Sequence, residues 1–281
     1  MPEQLSLQYR RLKRICVPDL GSAPVADLLC EMGLRARHIL QTAERVPLTS
    51  RTGKSFFSFR AASQSRPINE SLFAEGREFD GLLRAFRRGF EGRDHEPIVR
   101  STYSIAYSIF AAHDVSDVGR KASATVFEIL IGHVVARTLA VSPRKKVRIP
   151  ESDADLPTDY VFDPGPRSRK IHLPIKTSTR ERAVQAWVHQ LVLERIFGAG
   201  VYRGILVVAS ETKRDARTGE VIEICVPRQL QMFQSRVAEI TRIYYLDPPR
   251  AYLELANAFP RVDVKPFGQA LAEIPELLSG G

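Results

Sequence analysis

The chain has 281 residues, 44% of them hydrophobic and 26% charged, and its 41 Lys and Arg against 32 Asp and Glu leave a formal net charge of +9. That length holds one large domain or a core with a smaller companion, and the apolar share excludes a wholly disordered chain. The basic balance favours a polyanionic partner, nucleic acid before an acidic membrane surface, and no apolar run approaches the ~20 residues that cross a bilayer, so no membrane is expected.

The opening segment, MPEQLSLQYRRLKRIC, lacks the apolar core of a secretory signal, and its Arg10, Arg11, Lys13 and Arg14 form the solvated face of a short helical pattern. Cys16, Cys30 and Cys225 are widely spaced and odd in number. They fit neither a disulfide framework nor a zinc ligand set, which points to the cytoplasm. Residues 24–46 place Val25, Leu28, Leu29, Met32, Ile39 and Leu40 at helical spacing. Residues 47–67 read as irregular. A second helix is predicted over 76–90, with Phe79, Leu82, Leu83 and Phe86 on one side and arginines opposite. From residue 97 the texture changes, with helices over 97–112 and 118–140, the second more apolar. A proline-broken stretch leads to strands over 158–163 and 170–176 around the turn-rich PGPRS, then to a helix over 178–197 that ends at Gly198. Strands over 204–210, 221–227 and 242–247 alternate with helical segments near 228–239 and 248–257. Such interleaving predicts an α/β core with a mixed sheet. We divide the chain into a mainly helical region, 1–96, for gripping DNA or for dimerisation, and a catalytic core, 97–281.

Metal-assisted phosphodiester hydrolysis needs carboxylates to hold a hard cation and benefits from a positive group near the water or the scissile phosphate. Asp159 begins one predicted strand and Lys176 ends the next. If the two strands form a hairpin, these side chains become neighbours at one end of the sheet. The plainer alternative is an Asp that ends a loop and a Lys that caps an edge strand.

The run Lys176-Thr177-Ser178-Thr179-Arg180-Glu181-Arg182 resembles the signature block of the PD-(D/E)XK restriction endonucleases that cut CCGG and CCNGG sites. In that group the catalytic lysine is followed, four residues on, by an Arg-(Asp/Glu)-Arg cluster that reads two adjacent G·C pairs. The chemistry suits the residue types, since Arg pairs bidentately with guanine O6 and N7 and Glu accepts from cytosine N4. Ser178 with Glu181 also forms a capping box, so Glu181 could serve the helix start. The resemblance covers about residues 120–195, most specifically 176–182.

The resemblance implies a PD-(D/E)XK core, a central mixed β-sheet flanked by helices, beside an N-terminal helical region. It implies an acidic residue on an earlier helix, which Glu128 supplies within the apolar Thr125–Gly132. Asp159 and Glu128 would then hold Mg²⁺, with Lys176 as the third catalytic group. The family's acidic residue two before the lysine is absent, since Pro174 stands there. The helix glutamate that replaces it in the CCGG group falls on His189 or Gln190, with Glu194 a turn further on. Gln190 is the candidate carried forward as the fourth catalytic residue. Implied partners are double-stranded DNA with a GC-rich palindromic site and a second copy of the chain, at least on DNA. A restriction-modification context follows from the same resemblance. Two alternatives stand beside this one: a non-catalytic DNA-binding protein, and a structure-specific repair nuclease of the same superfamily. Trp187 lies in an apolar stripe and reads as core, while His133 and His172 read as structural or surface groups.

Overall fold

In chain order the N-terminal half places α1 (Pro2–Ile15), α2 (Ala23–Leu40), β1 (Arg45–Leu48), β2 (Phe56–Phe59), β3 (Ile68–Asn69), α3 (Gly76–Arg88), α4 (His95–Val115) and α5 (Arg120–Leu139). The structure, a computed structural model, describes residues 2–61, 65–90, 94–116, 120–150, 152–166, 168–180 and 183–279. Local chemistry sets several boundaries. Proline occupies the first turn of α2, where its missing N–H costs nothing. Gly89 ends α3 at φ 92°, a left-handed position that lets its N–H reach the carbonyls of Ala85 and Phe86.

The chain divides into two compact units, the first comprising Met1–Val134 and Thr212–Ile224, the second Val135–Glu211 and Cys225–Gly281. The expected boundary at 96/97 thus moves to 134/135. Burial explains the shift: α4 is buried almost along its whole length and packs on α2 and α3, so it belongs with the helices before it. The stretch read as irregular, 47–67, holds the end of β1 and all of β2 among its described residues. β1, β2 and β3 form an antiparallel sheet whose Phe56, Phe57 and Phe59 are buried, with Phe57 edge-on to Phe73. Strands of two to four residues are too short to show a period, which hid them in the sequence. Residues Lys121–Leu139 do reach membrane-spanning length and apolarity, contrary to expectation. Val126, Phe127, Ile129, Leu130 and Ile131 are at most 1% exposed, as in a core helix.

The second unit is built on β4 (Arg144–Arg148), β5 (Asp155–Phe162), β6 (Lys170–Leu173), β7 (Ile175–Lys176), α6 (Ala183–Phe197) and β8 (Tyr202–Ser210). β9 (Thr212–Arg214) and β10 (Val221–Glu223) then pair with each other in a hairpin of the first unit, where Val221 also bridges to Ser50. The strand expected over 221–227 therefore does not join the main sheet. The chain returns through α7 (Pro227–Arg236), β11 (Ile240–Asp247), α8 (Arg250–Leu253), α9 (Leu255–Ala258), β12 (Val264–Pro266), a short 3₁₀ turn (Phe267–Gln269) and α10 (Ala270–Ser279). The main sheet runs β12-β11-β8-β6-β5-β4, with β7 also on β8. β4, β5 and β6 pair antiparallel, and β6, β7, β11 and β12 join through parallel ladders. This is the mixed sheet flanked by helices that the sequence predicts. Its core joins Trp187 and Ala186 of α6 to Leu206, Val208, Ile243 and Tyr245 of the sheet. Trp187 is fully buried and its indole N–H donates to Gln234 Oε1 at 3.0 Å, the structural role expected of it.

Candidate active site

The antiparallel pairing Tyr160↔Leu173 leaves Asp159 beside Pro174, the residue that divides β6 from β7. Proline has no N–H to give a ladder. Past this break, Asp159 Oδ2 accepts from the Ile175 backbone N–H at 2.7 Å and from Lys176 Nζ at 2.9 Å. The predicted hairpin contact between Asp159 and Lys176 is present. Their side chains are 25% and 15% exposed, enough to be reached from solvent and little enough to weaken screening. Asp159 Oδ1 makes no hydrogen bond among the described residues, so one carboxylate oxygen is open to a further ligand.

Side chains alternate along a strand, so His172, Pro174 and Lys176 share one face. With Pro157, Thr158, Asp159, Gln185, Ala186 and His189 they line a cleft of about 130 Å³. His172 has no exposure and is held by Gln190. Gln190 Nε2 donates to the Tyr202 carbonyl at 2.9 Å and to Glu194 Oε1 at 2.9 Å, which turns Oε1 toward His172. Oε1 can only accept, so His172 carries its proton on Nδ1, 3.1 Å away, and Nε2 keeps a lone pair. That Nε2 is buried without a hydrogen-bond partner. Burial, opposed by the Gln190 hydrogen bond, lowers the imidazole pKa to about 4, so the ring is neutral near pH 7. His189 is also pushed down, first by burial and then by Lys176. The seat for Gln190 exists because residue 204 is glycine: a Cβ there would lie 2.9 Å from Gln190 Oε1 and 2.8 Å from Ile240 Cδ1.

The other predicted residues are distributed as follows. Gln190 is fully committed to His172, Glu194 and Tyr202 and is not among the lining residues of the cleft. Glu128 lies half-buried on α5, in the first unit, while Asp159 and Lys176 lie in the second. Arg180 is exposed and donates from Nε to Ser178 Oγ at 3.2 Å. Glu181 and Arg182 lie outside the described residues. The capping-box alternative pairs Ser178 with Glu181 and so lies outside the described residues, among which Ser178 Oγ accepts from Arg180 Nε. The predicted start at 178 fails because Thr177, Ser178 and Thr179 instead follow the edge of β8, where Ser210 N donates to the Thr177 carbonyl at 3.3 Å.

Two residues escaped the sequence reading. His172 was legible in part, since its spacing of four from Lys176 puts it on the same strand face. Glu211 left no signal, because nothing near position 211 marks a buried acid. It has no exposure, and its Oε1 accepts from Thr179 N at 2.9 Å, Thr179 Oγ1 at 2.6 Å and Tyr245 OH at 2.9 Å. Burial raises its pKa against the Thr179 hydrogen bonds.

A hard cation suits the donor set. Among the described residues no three His, Cys, Asp or Glu side chains are placed to hold a metal by themselves. Mg²⁺ commonly takes one or two carboxylates and completes its shell with water and phosphate oxygens. Asp159, with Oδ1 open at the cleft, meets that requirement.

No protein family matches the chain by sequence, and no curated protein does. Among solved structures, the Type IIP restriction endonuclease Kpn2I superposes with a TM-score of 0.82 at 24% identity, over 97% of this chain and 96% of that one. The restriction endonuclease PspGI, solved with substrate DNA, gives a TM-score of 0.46 at 13% identity over 91% and 93% of the two chains. The first likeness establishes a restriction-endonuclease fold for the chain as a whole.

Proposed function

We propose that the chain is a sequence-specific, Mg²⁺-dependent DNA endonuclease of the Type II restriction class, cutting a palindromic site with a CCGG-like core. The observation that carries this reading is the Asp159–Lys176 pair at 2.9 Å, opening on a cleft at the break between β6 and β7. That the surrounding fold is shared with Kpn2I over 97% of the chain adds support. So does Arg180, four residues beyond the lysine and exposed to solvent.

Asp159 would hold the metal, with Glu128 as the second ligand that the resemblance implies, and the metal would polarise the scissile phosphate and activate the attacking water. The Ile175 N–H and Lys176 fix the Asp159 carboxylate through Oδ2, which leaves Oδ1 for a further ligand. Lys176 places its ammonium where negative charge grows on the phosphate, a stabilisation strengthened by partial burial. His172 is neutral near pH 7 and offers a bare Nε2 that can accept a hydrogen bond from an ordered water. Gln190 orients that imidazole rather than meeting the substrate. Arg180, Glu181 and Arg182 read the G·C pairs, and two copies of the chain meet the two halves of the palindrome. In this reading the enzyme acts in the cytoplasm within a restriction-modification system, where the thiols of Cys16, Cys30 and Cys225 stay reduced.

A second reading is favoured by one observation: Asp159 is the sole carboxylate among the described residues lining the cleft. On that reading the protein binds DNA without cutting it. Incubation of purified protein with unmethylated plasmid and Mg²⁺, followed by sequencing of fragment ends, separates the cases. Discrete ends within a palindrome containing CCGG or CCNGG, lost in Lys176→Ala, support the endonuclease. Binding without breaks supports the second reading, and ends without a shared sequence point to a structure-specific nuclease.

A further inference from the structure

The seven residues after Leu173, 174–180, carry both Lys176 and Arg180 and are fastened to the end of β8 at successive points. Val207 N donates to the Pro174 carbonyl at 3.0 Å, and Ile175 and Lys176 lie in register with Val207 and Val208. Ser210 N donates to the Thr177 carbonyl at 3.3 Å. The last fastening is Glu211, whose Oε1 takes both the backbone N–H and the hydroxyl of Thr179, at 2.9 and 2.6 Å. Tyr245, paired with Val208 across the sheet, donates its hydroxyl to the same oxygen at 2.9 Å. Glu211 and Thr179 have no exposure, whereas the next residue, Arg180, is exposed.

Burying a carboxylate is costly, and here the cost is not fully offset, since Glu211 Oε2 is buried with no hydrogen-bond partner. An apolar side chain of like volume would fill the space without that penalty. What an apolar residue could not do is hold Thr179 by two directional bonds. We propose that Glu211 is a positioning residue for sequence recognition, locking Thr179 so that Arg180 stands at a fixed distance and angle from Lys176. A base-reading guanidinium must hold bidentate geometry, so freedom at Thr179 passes directly into lost discrimination between base pairs. The inference rests on the endonuclease reading above and on Arg180 as a base reader.

The test uses the full chain and four variants, Glu211→Ala, Glu211→Gln, Thr179→Val and Thr179→Ser. Single-turnover cleavage is measured on a duplex carrying the site found for the wild type and on duplexes with one base pair changed. Thermal melting confirms that each variant is folded at the assay temperature. Glu211→Ala and Thr179→Val are expected to lower the ratio of cognate to altered-site cleavage by about tenfold or more, with KM for the cognate duplex raised. Glu211→Gln keeps the accepting Oε1 and Thr179→Ser keeps both donors, so both retain the wild-type ratio. A wild-type ratio in folded Glu211→Ala and Thr179→Val overturns the inference while the endonuclease stands. Equal damage from Glu211→Gln and Glu211→Ala also overturns it, because charge rather than the hydrogen bonds would then matter. Thr179→Val decides the matter if Glu211→Ala does not fold. A wild type that cuts no DNA removes the endonuclease reading first, and this inference with it.

Discussion

Two polar clusters of the second unit flank the short segment that carries Lys176 and Arg180, and they are built in opposite ways. Around Asp159 the polar atoms are partly exposed, one carboxylate oxygen is open, and a bare imidazole nitrogen borders a cleft. Around Glu211 everything is sealed, with three donors converging on one oxygen under a fully buried Tyr245. A reacting group must be reachable and can give up some packing for it. A positioning group works best where water cannot compete for its hydrogen bonds. The contrast teaches that burial of a titratable group does not by itself mark a catalytic one.

The sharpest way to break this contrast is Lys176→Ala. It should lower DNA cleavage by about 10³-fold, about 4 kcal/mol of transition-state stabilisation, while the melting temperature and DNA binding change little. A stability loss as large as that of a core truncation would place Lys176 with the structural groups instead.

Acid tests the imidazole of the cleft. The folded His172 stays neutral down to about pH 4, while the unfolded ring takes its proton near 6.5. Below pH 6.5 the unfolded state therefore binds more protons, so the contribution of His172 is complete above 6.5 and is lost as pH falls toward 4. The loss between pH 7 and pH 5 is about 2 kcal/mol. His113 in the first unit is also lowered to about 4 and adds a similar slope, so the comparison needs His172→Gln. Urea denaturation at both pH values should show the wild type losing more stability than the variant, and equal losses would refute the assignment.

Arg180→Ala should cost about 1–3 kcal/mol of discrimination at one base pair per half-site, read from cleavage of substituted duplexes. A uniform loss across all sequences would make Arg180 a phosphate contact. The smallest effect is expected from Tyr245→Phe, which removes one of three donors to Glu211 and should cost about 1–2 kcal/mol in denaturation, with cleavage of the cognate duplex retained.

Much of this was legible in the residues themselves. The period-2 runs around PGPRS placed Asp159 beside Lys176, because a hairpin brings the start of one strand to the end of the next, and the ion pair bears out that geometry. The alternation of strands and helices announced the mixed sheet, and the apolar stripe around Trp187 announced a core helix, since both rest on local periodicity that water enforces. Tertiary structure decided the rest. α4 went to the first unit because its buried faces meet α2 and α3, a choice no local pattern encodes. α6 did not start at 178 because the 177–179 segment is held by Ser210 N at the Thr177 carbonyl and by the Glu211 carboxylate at Thr179, bonds a helix would have forfeited. Gln190 turned to His172 because a glycine at 204 left it room. Glu211 met Thr179 across 32 residues of chain. Periodicity records which face of an element is apolar; which polar groups meet beneath it depends on distances that exist only once the chain has closed on itself.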